Sequence, residues 1–350
     1  MQRKLTRRKF AAVAALAGAG FMAPNIVTGS KKKEAYSRGI VGHGSYRYKV
    51  NKKWGAQNPD KIPVKDCHEM VQDKKGRLIL LTNETKNNII IYNRSGKVLK
   101  TWGHDFPGAH GLTLLKEGEE EFLFITDHDR HQIFKTTLDG EILMTLDYPR
   151  EAGVYKNDGQ YKPTEVAVAP NGDFYVVDGY GLDYVIQYNR SGEYIRHFGG
   201  RGDGEEQFRT AHGICVDLRN PSEPVLLITS RSKQEFKRFT LDGQYMETIK
   251  TPGCWINRPV VHGRELYFSV LQTKSSWAYD GFVIILDENN KIVSAPGGSQ
   301  PIYRGEVAQE IIYDGTTFMN PHDVCIDRDQ NLYIPQWFSG KTYPVQLERI

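Results

Sequence analysis

The chain has 350 residues, 39% apolar and 25% charged, which is enough to bury a sizeable core and far from a disordered or collagen-like composition. Its formal charge of +4 comes from the N-terminus, where Arg3, Lys4, Arg7, Arg8 and Lys9 stand; without them, 41 basic residues face 42 acidic ones. That balance leaves no surplus positive charge to displace counterions from a phosphate backbone, which argues against nucleic acid as a partner.

Residues 1–28 read MQRKLTRRKFAAVAALAGAGFMAPNIVT, a basic stretch followed by an uncharged Ala- and Gly-rich run from Phe10 to Thr28. The run is short and weakly apolar for a membrane anchor and has the pattern of a targeting segment. Thr6-Arg7-Arg8-Lys9-Phe10 resembles the twin-arginine export motif. The resemblance implies a periplasmic or secreted protein, handed folded to the export machinery, with the segment cleaved or retained. Residues 29–45 read as a linker. Cys67, Cys215, Cys254 and Cys325 follow at spacings of 148, 39 and 71, which match no zinc ribbon or redox pair, so free thiols are predicted.

From residue 46 onward the pattern is that of sheet. A unit recurs: an apolar triplet, a Gly or Asn turn, a second apolar run, and a third run ending in another Gly turn. Copies begin at His68, His110, Thr164, His212, Asn257 and His322, which are 42, 54, 48, 45 and 65 residues apart. This spacing is close to the roughly 40–45 residue period of a propeller blade, with insertions. A single sheet of three or four short strands cannot cover both its faces, and packing copies around an axis solves that. The sixth copy reaches Ile350 after three strands. The segment Tyr46–Gly55, YRYKVNKKWG, looks like the fourth strand of other copies (VLKTWG, YIRHFGG) and is predicted to close the sixth blade. The predicted fold is therefore all-β, a six-bladed propeller over 46–350 with its last blade closed by an N-terminal strand. The stretch EYIRHFGGRGDGEEQFRTAHGICVD resembles the linker and first strand of NHL repeats, and the repeats cover most of 46–350.

Aligned on their first strands, the copies place His68, His110, Thr164, His212, Asn257 and His322 at one position. The innermost strand of a blade lines the central channel, so these side chains are predicted to converge on the axis. Three neutral imidazoles with one open position suit a borderline divalent metal, and channel-lining histidines bonded to water are the plainer alternative.

At these residues the sequence is similar to the peptidyl-α-hydroxyglycine α-amidating lyase family. The contexts Ala109-His110-Gly111-Leu112, Ala211-His212-Gly213 and Pro321-His322-Asp323 resemble its zinc-binding histidine motifs, although alanine replaces the family's proline in the first two. DHDRHQIF (127–134) and FYVVDGYG (174–181) resemble two neighbouring segments of the family. The resemblance implies zinc on His110, His212 and His322, an active-site tyrosine at Tyr180, a substrate-facing arginine at Arg231 and a structural calcium near Asp323. His68 is an additional histidine at the same level and a candidate extra ligand. A second family arginine, from the first blade, has no counterpart in LLTNETKNN. On this reading the metal acidifies a substrate hydroxyl, Tyr180 takes its proton and Arg231 holds a carboxylate. Glu165 is predicted by strand alternation to point away from the axis, and His128 and His131 to sit on a polar rim. Two functions stay open. One is an exported zinc-dependent carbon–nitrogen lyase or a relative acting on a small carboxylate- or peptide-like substrate. The other is a non-catalytic binding scaffold with a structural metal. Residues 292–317 are long enough for a lid over the channel, and oligomeric state is not readable.

Overall fold

Short apolar strands joined by glycine turns dictate the architecture. The computed structural model describes residues 39–273 and 278–350; the export motif lies outside the described residues. Four blades are antiparallel four-stranded meanders in chain order. The first runs Cys67–Gln72, Leu78–Thr82, Ile89–Tyr92 and Val98–Trp102, and the second spans 109–146, the third 165–199 and the fourth 211–250. In the fifth, Glu265–Gln272 pairs with an inner strand split into Trp255–Ile256 and Val260–His262. Pro259 lies at the split and has no N–H for the ladder.

The sixth blade closes as expected. Cys325–Ile326, Leu332–Ile334 and Val345–Arg349 are joined by Tyr46–Asn51, which pairs antiparallel with Val345–Arg349. Ile40–His43 adds a fifth strand outside it, so the sheet begins within the segment read as a linker. The predicted strand ends at Asn51, before a turn that carries Trp54 inward. The Trp54 ring lies 5.0 Å from that of Tyr92 in the first blade and 4.6 Å from that of Tyr333 in the sixth. Gly96, at φ +85°, makes this seam possible: a Cβ there would sit 2.6 Å from the backbone nitrogen of Gly55.

The middle strands of the blades bury both faces, while the outermost strands stay largely exposed. Ile79, Leu81, Ile89 and Ile91 pack against Leu112, Leu123 and Ile125 of the second blade, while Leu78, Leu80, Ile90 and Tyr92 pack against Cys325 and Tyr333 of the sixth. The other consecutive blades meet through equivalent apolar clusters. This continuous ring of interfaces fixes the inner strands, and with them the channel. All four cysteines are free, and three are buried. Residues 292–317 are not a lid over the channel. Ile292–Ser294 is the fourth strand of the fifth blade, and Ile311 joins the core between blades four and five.

Candidate metal centre

The residues aligned at the heads of the inner strands meet on the axis. His68, His110, His212 and His322 are all buried. Their ring centroids are 4.8 Å apart for His68–His110, 4.7 Å for His110–His212, 5.0 Å for His212–His322 and 4.8 Å for His322–His68. Ligand nitrogens of His68, His110 and His322 all lie within 4.8 Å of one another, and these three could hold a metal ion. Nε2 of His212 is 3.1 Å from Nε2 of His110. His68 is thus a full member of the cluster rather than an outlier.

Backbone carbonyls set the ring orientations. His110 donates Nδ1–H to the carbonyl of Thr164 at 2.9 Å, and His322 donates Nδ1–H to the carbonyl of His68 at 3.0 Å. Each therefore keeps Nε2 as a lone pair. Nδ1 of His68 and Nδ1 of His212 are buried without a hydrogen-bond partner. Burial pushes the His68 imidazole down to about 3 and holds His110, His212 and His322 well below their ordinary value; neighbouring positive charge, including Arg231 beside His212, adds to this. Four neutral imidazoles with lone pairs turned toward one another fit a divalent metal of intermediate softness.

The turn between the second and third strands of each blade lies at this same end. In the third blade it delivers Tyr180, whose hydroxyl is 3.1 Å from Nε2 of His110 and 3.1 Å from Nε2 of His212. The flanking glycines allow the approach: a Cβ on Gly179 would sit 2.2 Å from the carbonyl oxygen of Ala211, and one on Gly181 2.0 Å from Asp178 Oδ1. Asp178 anchors the turn by accepting from the Lys162 N–H at 2.6 Å, the Leu182 N–H at 2.7 Å and the Tyr155 hydroxyl at 3.0 Å. Burial lifts its carboxyl to about 7. The fourth blade's turn supplies Arg231, buried beside Tyr180, which is its hydrogen-bonding and charge partner. Arg231 donates to the carbonyl of Ile256 at 3.2 Å and to Oδ1 of Asn257. Asn257 is held in turn by its own bonds to Ser269 and the Pro321 carbonyl. Thr164 and Asn257 therefore orient His110 and Arg231. His128 stands at the rim with its ring 5.5 Å from that of Tyr180, and His131 is bonded to the Tyr161 carbonyl at 2.6 Å.

One position further along each inner strand lies a second ring: Glu69, Gly111, Glu165, Gly213, Arg258 and Asp323. Glu165 is fully buried and turned inward, against the expectation from alternation, and its Oε2 is 3.8 Å from Arg258 Nε. Alternation counted from Thr164 fails because Thr164 stands before the strand, its hydroxyl turned to the Val177 and Ala211 carbonyls, and Glu165 is the strand's first residue. Burial raises the Glu69 carboxyl well above its ordinary range, with Glu165 beside it opposing a second charge. Asp323, the residue expected near a calcium, is paired with the Arg258 guanidinium, Nη2 2.6 Å from Oδ2 and Nε 3.1 Å from Oδ1. The sequence reading missed Arg258. The signal was available in the column after the histidines, where four of six residues are charged at the start of otherwise apolar strands.

No family model matches the sequence. Over 109 residues, 30% of this chain, it is 38% identical to peptidyl-alpha-hydroxyglycine alpha-amidating lyase 1 of Drosophila melanogaster, of which it covers 19%. Over 264 residues, 70% of this chain, it is 26% identical to peptidyl-glycine alpha-amidating monooxygenase A of Xenopus laevis, of which it covers 25%. The chain thus spans about a fifth to a quarter of the length of these curated relatives. Among solved structures, a gluconolactonase from Xanthomonas campestris superposes with a TM-score of 0.58 at 14% identity, over 90% of this chain and 92% of that one. At that identity the likeness speaks for the fold alone. Architecture and relatives together make this chain a six-bladed propeller similar in sequence to the peptidyl-α-hydroxyglycine amidating lyases.

Proposed function

We propose that this chain is an exported, metal-dependent lyase that cleaves the carbon–nitrogen bond of an α-hydroxyglycine-like peptide, releasing an amide and glyoxylate. One observation carries the reading: the Tyr180 hydroxyl stands 3.1 Å from both His110 and His212, with buried Arg231 beside it. A divalent ion on the histidines, zinc by the nitrogen-only donor set, would supply Lewis acidity toward a substrate oxygen. Tyr180, starting as the phenolate that an ion on the histidines and Arg231 would favour, is placed to take the proton of the α-hydroxyl as its oxygen becomes the carbonyl of glyoxylate. The carbon–nitrogen bond breaks with its electron pair going to nitrogen, and the proton on Tyr180 completes the departing amide. Arg231, its guanidinium fixed by Ile256 and Asn257, holds the substrate carboxylate in register. The histidines are buried while Tyr180 stays exposed, so substrate reaches the ion's end of the channel from the solvent side, past Tyr180.

The test is glyoxylate release from an N-blocked α-hydroxyglycine dipeptide by zinc-loaded protein. Turnover that disappears on chelation and returns with zinc supports the proposal. A stoichiometric, tightly held metal with no glyoxylate released favours the scaffold reading instead. Export is tested separately, by fractionating cells that express the full chain and its Arg7→Lys, Arg8→Lys variant; retention of the variant in the cytoplasm is the expected result.

A further inference from the structure

Beneath the histidines, oxygens from four blades surround the side chain of Arg258, with Glu165 Oε2 of the third 3.8 Å from Nε. Nη2 lies 2.6 Å from Asp323 Oδ2 and 3.3 Å from the Met70 carbonyl, Nη1 lies 2.9 Å from the Leu112 carbonyl and 3.2 Å from Glu69 Oε2, and Nε lies 3.1 Å from Asp323 Oδ1. Two carboxylates and two backbone carbonyls are the hard oxygen set that a calcium ion takes. The set is not waiting for one. A guanidinium offers five donors in a plane, and here it spends them on those oxygens. A divalent cation at the same centre would sit against a buried positive charge and would have to strip Asp323 and both carbonyls from it. Gly213 completes the fit on the fourth blade, since a Cβ there would stand 2.6 Å from Cα of Arg258.

We propose that Arg258 is the built-in cation of this channel: it stands where the family resemblance implies a calcium ion and makes the propeller independent of calcium. Its partners are not scattered. Glu69 and Met70 follow His68, Leu112 follows His110 by two residues, and Asp323 follows His322. Those are the three histidines whose ligand nitrogens converge. Arg258 is therefore a positioning residue. It ties the inner strands of blades one, two and six to the fifth and so fixes the spacing of the imidazoles above it.

The experiment compares the thermal unfolding of the full chain and its Arg258 variants in EGTA, in millimolar calcium and in millimolar magnesium, with bound calcium measured by elemental analysis. Wild-type protein is expected to melt at the same temperature in all three and to hold no calcium after EGTA. Arg258→Ala is expected to lose roughly 5–15 °C, as when one partner of a buried ion pair is removed from a domain of this size. Calcium, and not magnesium, should restore part of that loss by entering the emptied cage, while Arg258→Lys should fall between and respond less. A wild-type protein that retains calcium or softens in EGTA would overturn the proposal. So would an Arg258→Ala protein as stable as wild type, or one that calcium does not rescue. If Arg258→Ala does not fold in either buffer, the wild-type and lysine arms decide. All arms use protein first stripped of transition metal, so that none of these readouts depends on turnover or on the metal held by the histidines.

Discussion

Nε2 of His110 and Nε2 of His212 lie 3.1 Å apart across the axis, although 102 residues separate them in the chain. Two unprotonated imidazole nitrogens repel at that distance unless a proton or a metal lies between them. His110 already gives its Nδ1 proton to Thr164. Without a metal, His212, whose Nδ1 has no partner, carries its proton on Nε2 and donates it to His110; an ion held by both rings takes that proton's place, and the prediction tests for it. His110→Ala or His212→Ala lowers zinc affinity by at least about tenfold, the loss seen even for groups that merely support a ligand. Elemental analysis after dialysis against a weak chelator reads this, and undiminished stoichiometry in both variants would remove the centre.

Tyr180→Phe deletes one oxygen and leaves the four imidazoles in place. Zinc content should stay at the wild-type level while kcat for glyoxylate release falls about 10²–10⁴-fold, the usual worth of a positioned proton carrier. Equal losses of metal and rate would mean that Tyr180 acts as a ligand or a packing element instead.

The buried histidines also set a pH dependence for the metal-free fold. Their native values lie far below that of an unfolded histidine, about 3 for His68, so between roughly pH 3 and 6.5 the unfolded chain binds protons that the folded one refuses. Stability is then insensitive to these groups above about pH 6.5 and falls as the pH drops below it. Each histidine contributes up to about 1.4 kcal/mol per pH unit in that window. Denaturant melts of the chelated protein between pH 4.5 and 7.5 should show this slope, and His68→Gln should reduce it by about one proton.

Trp54 holds the seam where the ring closes, between Tyr92 and Tyr333. Trp54→Ala should cost about 3–5 kcal/mol, typical of emptying a large aromatic site in a core. An exposed aromatic, Phe338→Ala, should cost little by comparison. Chemical denaturation distinguishes them, and equal small effects would mean that the seam is not closed through Trp54.

Much of this protein was legible without coordinates. The repeat of apolar triplets and glycine turns specified six blades, because a short sheet that is apolar on both faces has few ways to cover itself. The three-stranded last copy, together with YRYKVNKKWG near the start, specified how the ring closes. Equivalent positions in a propeller converge on the axis, so the column of histidines announced the centre as well.

What the linear pattern could not decide was how far each side chain reaches into a channel shared by six strands. Period-two alternation placed Glu165 outside, yet it lies inside, because Thr164 precedes the strand and spends its hydroxyl on the Val177 and Ala211 carbonyls, so the alternation starts at Glu165. Whether the cation beside Asp323 is a metal or a side chain depended on Arg258 of the fifth blade meeting carbonyls of the first and second. Such a contact is set by the closed ring, since it joins residues 146 and 188 positions apart in the chain. The sequence by itself determined the blades and the histidine column; the tertiary structure alone determined which charges share the space beneath them.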